Sequence, residues 1–153
     1  MPELPEVEIM VRNLRRWLEG RRLDRLEVLD GRWLKAGDAA DINGMLVTDV
    51  RRRAKYACLE LAGKNGSCEL VLHYRMTGKT VRVGGGRRHL RAVLVPREGE
   101  PVGFDDARRL GQAWIMAASE APAFWAERKL GPEIWPDERS GGWWAERLGR
   151  IRG

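Results

Sequence analysis

The chain begins Met-Pro-Glu-Leu-Pro-Glu-Val-Glu, and removal of Met1 leaves Pro2 as a secondary amine at the terminus with the carboxylate of Glu3 beside it. An α-amino group titrates at a pKa of about 7.7 to 8, so near neutral pH a sizeable fraction is uncharged and able to attack carbon. A proline amine adds a property that lysine lacks. Its adduct with an aldehyde-level carbon is an iminium with no N–H to lose, so it stays cationic and withdraws electrons from the neighbouring carbon. Sugar carbons are its natural targets. A structural account of the same residues also exists: Pro2 and Pro5 precede a helix, and Glu6 and Glu8 in its first turn complement the positive end of the helix dipole.

Further along lie four other short segments of distinctive chemistry. They are Arg53-Ala54-Lys55-Tyr56 with Leu59-Glu60-Leu61, then His73-Tyr74-Arg75-Met76-Thr77-Gly78, Asp106-Ala107-Arg108-Arg109-Leu110-Gly111, and Leu130-Gly131-Pro132-Glu133. Together with Pro2-Glu3-Leu4-Pro5-Glu6, and in this order, they resemble the motifs of the formamidopyrimidine-DNA glycosylases, the Fpg/Nei group of base-excision repair enzymes. The resemblance runs from Met1 to about Glu133. It implies a first domain made of a two-sheet β-sandwich flanked by helices, and a bifunctional glycosylase and AP lyase acting on oxidised purines in double-stranded DNA.

Carried over residue by residue, the resemblance makes Pro2 the nucleophile, Glu3 the group that manages the proton, Glu6 a supporting acid and Lys55 a phosphate-binding lysine beside the lesion. An ordinary strand-end lysine and a plain first-turn glutamate are the structural alternatives for the last two. A nucleotide taken out of the duplex costs a few kcal/mol of stacking and leaves a hole. Met76, Arg108 and Leu110 match the family's void-filling positions, with Arg109 beside them and His89, near Arg87, where relatives place a phosphate contact. Met76 and Leu110 as core residues, and His89 as a surface histidine on a strand, are the competing readings. Leu110 stands where the family has Phe and Ala107 where it has Pro, changes that keep an apolar plug but remove aromatic stacking and loosen the turn.

Positioning these groups requires an ordinary globular core. The chain has 153 residues, 43% of them hydrophobic, enough to bury a core without disulfides or metal. No apolar run approaches the roughly eighteen residues needed to span a bilayer, and a cytoplasmic monomer is expected. Cys58 and Cys68 fit no metal-finger spacing and are expected as buried free thiols. Asp105-Asp106 lacks companion ligands at metal spacing, so the pair is not read as a metal site, and with no match to the family's zinc finger no cofactor is expected in this chain. Charge is concentrated: residues 51–109 hold 14 Lys/Arg against 6 Asp/Glu, a net +8 in a chain whose total is +6. Arg51, Arg52, Arg53, Lys55, Arg75, Lys79, Arg82, Arg87, Arg88 and Arg91 are the candidates for a phosphate-tracking surface, with solvated strand arginines as the alternative.

The pattern predicts an α+β, mostly β chain. Val7, Met10, Val11, Leu14 and Leu18 repeat at helical spacing, with charges on the opposite face and Gly20 as the C-terminal cap. Short strands follow at 23–29, 45–50, 56–61, 68–74, 80–83, 89–95 and 112–116, forming an antiparallel sandwich or barrel. Gly84-Gly85-Gly86 reads as a hairpin connection. A second helix is expected from a Ser119 cap through Phe124 and Trp125 to Gly131-Pro132. The domain is placed at 1–134. Residues 135–153, with Trp143 and Trp144, are expected to be a linker and the truncated start of the family's helix–two-turn–helix region, without its zinc-binding hairpin, so that activity in isolation is expected to be weak. A non-catalytic damage-binding domain and, behind it, a small basic RNA-binding module are the other functional readings.

Overall fold

The structure is a computed structural model, and it describes residues 3–84 and 89–131. The opening helix, α1 (Leu4–Leu18), buries Val7, Val11, Leu14 and Leu18 along one stripe. It ends as the glycine signal predicts: Gly20 takes φ 81 and its N–H donates to the carbonyl of Val47 at 2.8 Å. One residue departs from the expected charged outer face. Glu8 is buried, because its carboxylate receives Nε of Arg52 at 2.8 Å from a strand beneath the helix.

Among the described residues nine strands follow in two sheets. They are β1 (Leu23–Val28), β2 (Leu34–Ala36), β3 (Leu46–Arg53), β4 (Tyr56–Gly63), β5 (Gly66–His73), β6 (Lys79–Arg82), β7 (Leu90–Pro96), β8 (Val102–Asp105) and β9 (Gln112–Ala117). One sheet has the order β2-β9-β5-β4-β3 and the other β1-β7-β8-β6. The seven expected strands are present within a residue or a few at their ends, and β2 and β8 are additions. The sandwich is antiparallel except at one edge, where β2 pairs parallel to β9.

The main core lies between the sheets and under α1, and side-chain alternation sorts the central strands between it and a second cluster. Ala57, Leu59 and Leu61 of β4, Leu70 and Leu72 of β5, and Ala113 and Ile115 of β9 face inward. Cys58, Val71 and Met116 face outward, where α2 (Ala121–Arg128) covers them with Ala121, Phe124 and Trp125. Strands buried on both faces read as nearly continuous apolar runs, which is why β4 and β5 stand out in the sequence. Cys58 is buried and in no disulfide, whereas Cys68 is only half-buried and burial pushes its thiol pKa up.

Two expectations for α2 are corrected. Ser119 does not cap it: residues Ala118–Glu120 form a short 3-10 turn that runs directly into the helix, with Glu120 at the cap position. The helix ends on Lys129 in the left-handed region (φ 48) rather than at Gly131. Pro132, the linker and Trp143 and Trp144 lie outside the described residues, as do Gly85, Gly86, Arg87 and Arg88.

Candidate nucleic-acid interface

Strand register gathers the singled-out residues at one end of the molecule. Tyr56 pairs with His73 across β4 and β5, and His73 pairs with Gln112 across β5 and β9. The β3–β4 turn with Lys55, the loop after β5 with Met76 and the turn before β9 with Arg108–Leu110 therefore share one sheet end. In the facing sheet Asp105 pairs with both Lys79 and Leu90, which adds the start of β6 and His89 to the same end.

The Lys55 turn is locked to α1. Arg15 reaches from the helix to the carbonyl of Val50, at 2.7 Å through Nη2, and Arg52 spans from Glu8 to the carbonyl of Ala54 at 2.9 Å. Ala54 is left-handed at φ 50, a conformation costing a non-glycine residue on the order of 1 kcal/mol, and the Arg52 contact holds it there. In consequence the helix N-terminus stands over Lys55: Nζ lies 3.6 Å from a carboxylate oxygen of Glu3. Glu6 turns back to accept the Glu3 backbone N–H at 3.2 Å, half of a capping box. Glu6 thus has a helix-capping role whatever else it does. Pro2 lies outside the described residues, one peptide bond from Glu3.

The other two turns are also built on left-handed non-glycine residues, Arg75 (φ 54) and Arg109 (φ 60). Met76 and Leu110 are not core residues; they are 46% and 43% exposed. Arg108, Arg109, Lys79 and His89 are exposed nearby. Arg109 is 3.9 Å from Asp30, and the His89 carbonyl accepts the Asp106 N–H at 2.9 Å. His73 itself is buried, and it accepts the Arg75 N–H on Nδ1 at 3.1 Å. Burial, with Arg75, Lys55 and Arg128 nearby, lowers its pKa to about 4, so it is a neutral acceptor at physiological pH.

Asp106 organises this end, and motif reading passed over it once a metal role was dismissed. It is 1% exposed, and its carboxylate accepts from Thr77 Oγ1 at 2.5 Å, from the Gly111 N–H at 2.6 Å and from the Arg108 N–H at 3.2 Å. The signal was local: an Asp whose side chain takes the N–H two residues on is the common Asx-turn device. The turn therefore stays fixed although Ala107 replaces proline. Under both turns lies Phe104, stacked on Tyr74 with ring centroids 5.4 Å apart. A side chain at Gly78 or Gly111 would strike the Phe104 ring, which explains the glycine at each place.

The proposed phosphate-tracking surface shrinks. Arg51 is engaged by Glu60 and Glu69, Arg52 by Glu8, and Arg82 lies 3.5 Å from Glu100 and over the ring of Trp17. Arg91 donates to the Asp106 carbonyl, Arg75 to Gln112 and Arg53 to the Gly131 carbonyl at 3.1 Å. These cations hold the fold together, and Arg87 and Arg88 lie outside the described residues. The exposed positive charge among the described residues at this end is carried by Arg75, Lys79, Arg108 and Arg109, with Lys55 half-buried. An open groove of about 880 Å³ lies elsewhere, at the opposite sheet end between β9 and α2.

Comparison with known proteins bears on the family and the fold. The family model described as the formamidopyrimidine-DNA glycosylase N-terminal domain matches residues 1–113. The formamidopyrimidine-DNA glycosylase of Moorella thermoacetica is 35% identical over 140 residues, covering 87% of this chain and 50% of the relative. That of Rhizorhabdus wittichii is 38% identical over 146 residues, covering 90% and 52%. The chain thus spans about half the length of the curated relatives it matches. Among solved structures, the Lactococcus lactis enzyme in complex with abasic-site DNA superposes with a TM-score of 0.79 at 23% identity, over 99% of this chain and 55% of that one. At that identity the likeness speaks for the fold. No described helix is long and apolar enough to cross a membrane. On the match over residues 1–113, this chain belongs to the formamidopyrimidine-DNA glycosylase family, of which it carries the amino-terminal domain.

Proposed function

We propose that the chain serves base-excision repair as the catalytic part of a DNA glycosylase and AP lyase directed at oxidised purines. The carrying observation is that Glu3, Lys55, Met76 and Arg108–Leu110, far apart in sequence, occupy one end of the fold, with Glu3 and Lys55 in contact. In this reading the Pro2 nitrogen, freed by loss of Met1, attacks C1′ of the damaged deoxynucleotide and the base leaves with the bonding pair. Glu3 protonates the ring oxygen, the sugar opens to the iminium, and loss of the C2′ proton expels the 3′ phosphate. Lys55 holds a phosphate beside the lesion, with Glu3 as its counter-ion when no DNA is bound. Met76 and Leu110 fill the space left by the extruded nucleotide, Arg108 offers donors to the orphaned base, and Arg109 and His89 serve the backbone. The partner is damaged double-stranded DNA, bound by a monomer.

Borohydride trapping tests this. After intact mass has established loss of Met1, the protein incubated with abasic or oxidised-guanine duplex yields a covalent adduct that Pro2→Gly abolishes. Steeply salt-dependent binding with no adduct from the processed protein overturns catalysis and leaves damage recognition.

A further inference from the structure

The Met76 loop and the Arg108–Leu110 turn are cross-linked twice. The inner link, half-buried, joins Thr77 Oγ1 to the buried Asp106 carboxylate, which also takes two backbone N–H groups of its own turn. The surface link joins the Arg75 guanidinium to Gln112 Oε1, at 3.0 Å through Nη2 and 3.3 Å through Nε. Both turns rest on the same Phe104 ring through glycines that allow no side chain. Each also contains a left-handed arginine, and such strained conformations persist where surrounding contacts over-determine them.

We propose that Thr77 and Asp106 form a clasp that makes the two turns one rigid probe, so that Met76 and Leu110 enter a duplex together rather than independently. Thr77 and Asp106 are positioning residues in this scheme; neither touches DNA. A carboxylate buried to this degree and satisfied by three donors, one from the opposite loop, transmits displacement of either turn to the other. Two separately mobile wedges would each lose conformational freedom on insertion. A pre-joined pair has lost it on folding, and binds correspondingly better. The clasp is a property of the free protein, and only its use on DNA rests on the repair reading.

Two measurements on the full chain test it. In free protein, Thr77→Val is expected to speed hydrogen exchange at the Arg108 and Gly111 amides, across the clasp, by roughly tenfold, the scale of one charge-assisted hydrogen bond. Exchange in β4 and β5 is expected to be unchanged, and Thr77→Ser to restore protection. Loosening confined to residues 74–78 overturns the clasp. On abasic duplex, Met76→Ala and Leu110→Ala are expected to be non-additive by about fivefold or more in affinity in the native background, and additive within about twofold when Thr77 is Val. Additivity in the native background overturns concerted insertion. Where no lesion duplex is bound, the functional reading and concerted insertion fail together, while the exchange result still decides the clasp.

Discussion

At the Lys55 end of the five-stranded sheet the chain turns on Ala54, Arg75 and Arg109, whereas at the other end the β4–β5 hairpin turns on Gly66 at φ 131, with open space around it. The first three bends carry the steric cost of a Cβ in the left-handed region and are held by Arg52, His73 and Asp106 through hydrogen bonds to backbone groups of the turns. The glycine bend carries no such cost and needs no ties. The hollow of about 880 Å³ also lies at the glycine end, while Lys55, Met76, Arg108, Arg109 and Leu110 lie at the strained one. Polar convergence and conformational strain, rather than concavity, mark the end of the domain proposed to meet DNA.

The difference between the ends can be broken most forcefully at Arg52. Arg52→Ala leaves Glu8 buried without its main partner and removes the tie to Ala54. It is expected to cost about 3–5 kcal/mol in urea unfolding, with part of the loss recovered by Glu8→Gln in the same chain. Next in size, Gly111→Ala drives a methyl group into Phe104 and Asp106 and is expected to cost about 1–3 kcal/mol, whereas Gly66→Ala meets no atoms and costs about 1 kcal/mol of backbone strain. Equal penalties at the two glycines would erase the contrast.

Acid sharpens the comparison differently. His73 binds a proton less readily folded, at about pH 4, than unfolded, near 6.5, so the unfolded chain holds more protons between these values. Its stabilising contribution is complete above about pH 6.5 and is lost as pH falls toward 4. His73→Gln is expected to flatten that limb of the stability–pH curve. Ala54→Gly relieves the left-handed strain and is expected to raise stability by about 0.5–1 kcal/mol in thermal unfolding. Smallest of all, Lys55→Gln breaks a largely exposed pair and is expected to change stability by less than about 0.5 kcal/mol while abolishing the strand nicking of the proposed function. A large stability loss there would make Lys55 an ordinary structural lysine.

The sequence made α1 and the long strands legible because their periodicity is local. β2 is too short, with three residues, to carry a pattern. β8 is broken by Gly103, a residue demanded by packing, since a Cβ there would strike Leu90 and Val83. Motif matching located Lys55, Met76, Arg108 and Leu110, and register placed them together. What it could not reveal is which arginines are already committed: Arg51 and Arg52 read as surface charge until the register of β3 with β4 and the seat of α1 bring Glu60, Glu69 and Glu8 against them. Asp106 was visible as a residue but not as a junction, because Thr77, its decisive partner, lies 29 positions away.

Arg53 donates to the carbonyl of Gly131, so the strand that ends at the Lys55 turn also holds the last described stretch of backbone. Tension applied to the chain beyond that point loads this anchor alongside α2. A pull from downstream is therefore felt by the hairpin bearing Lys55 as well as by α2.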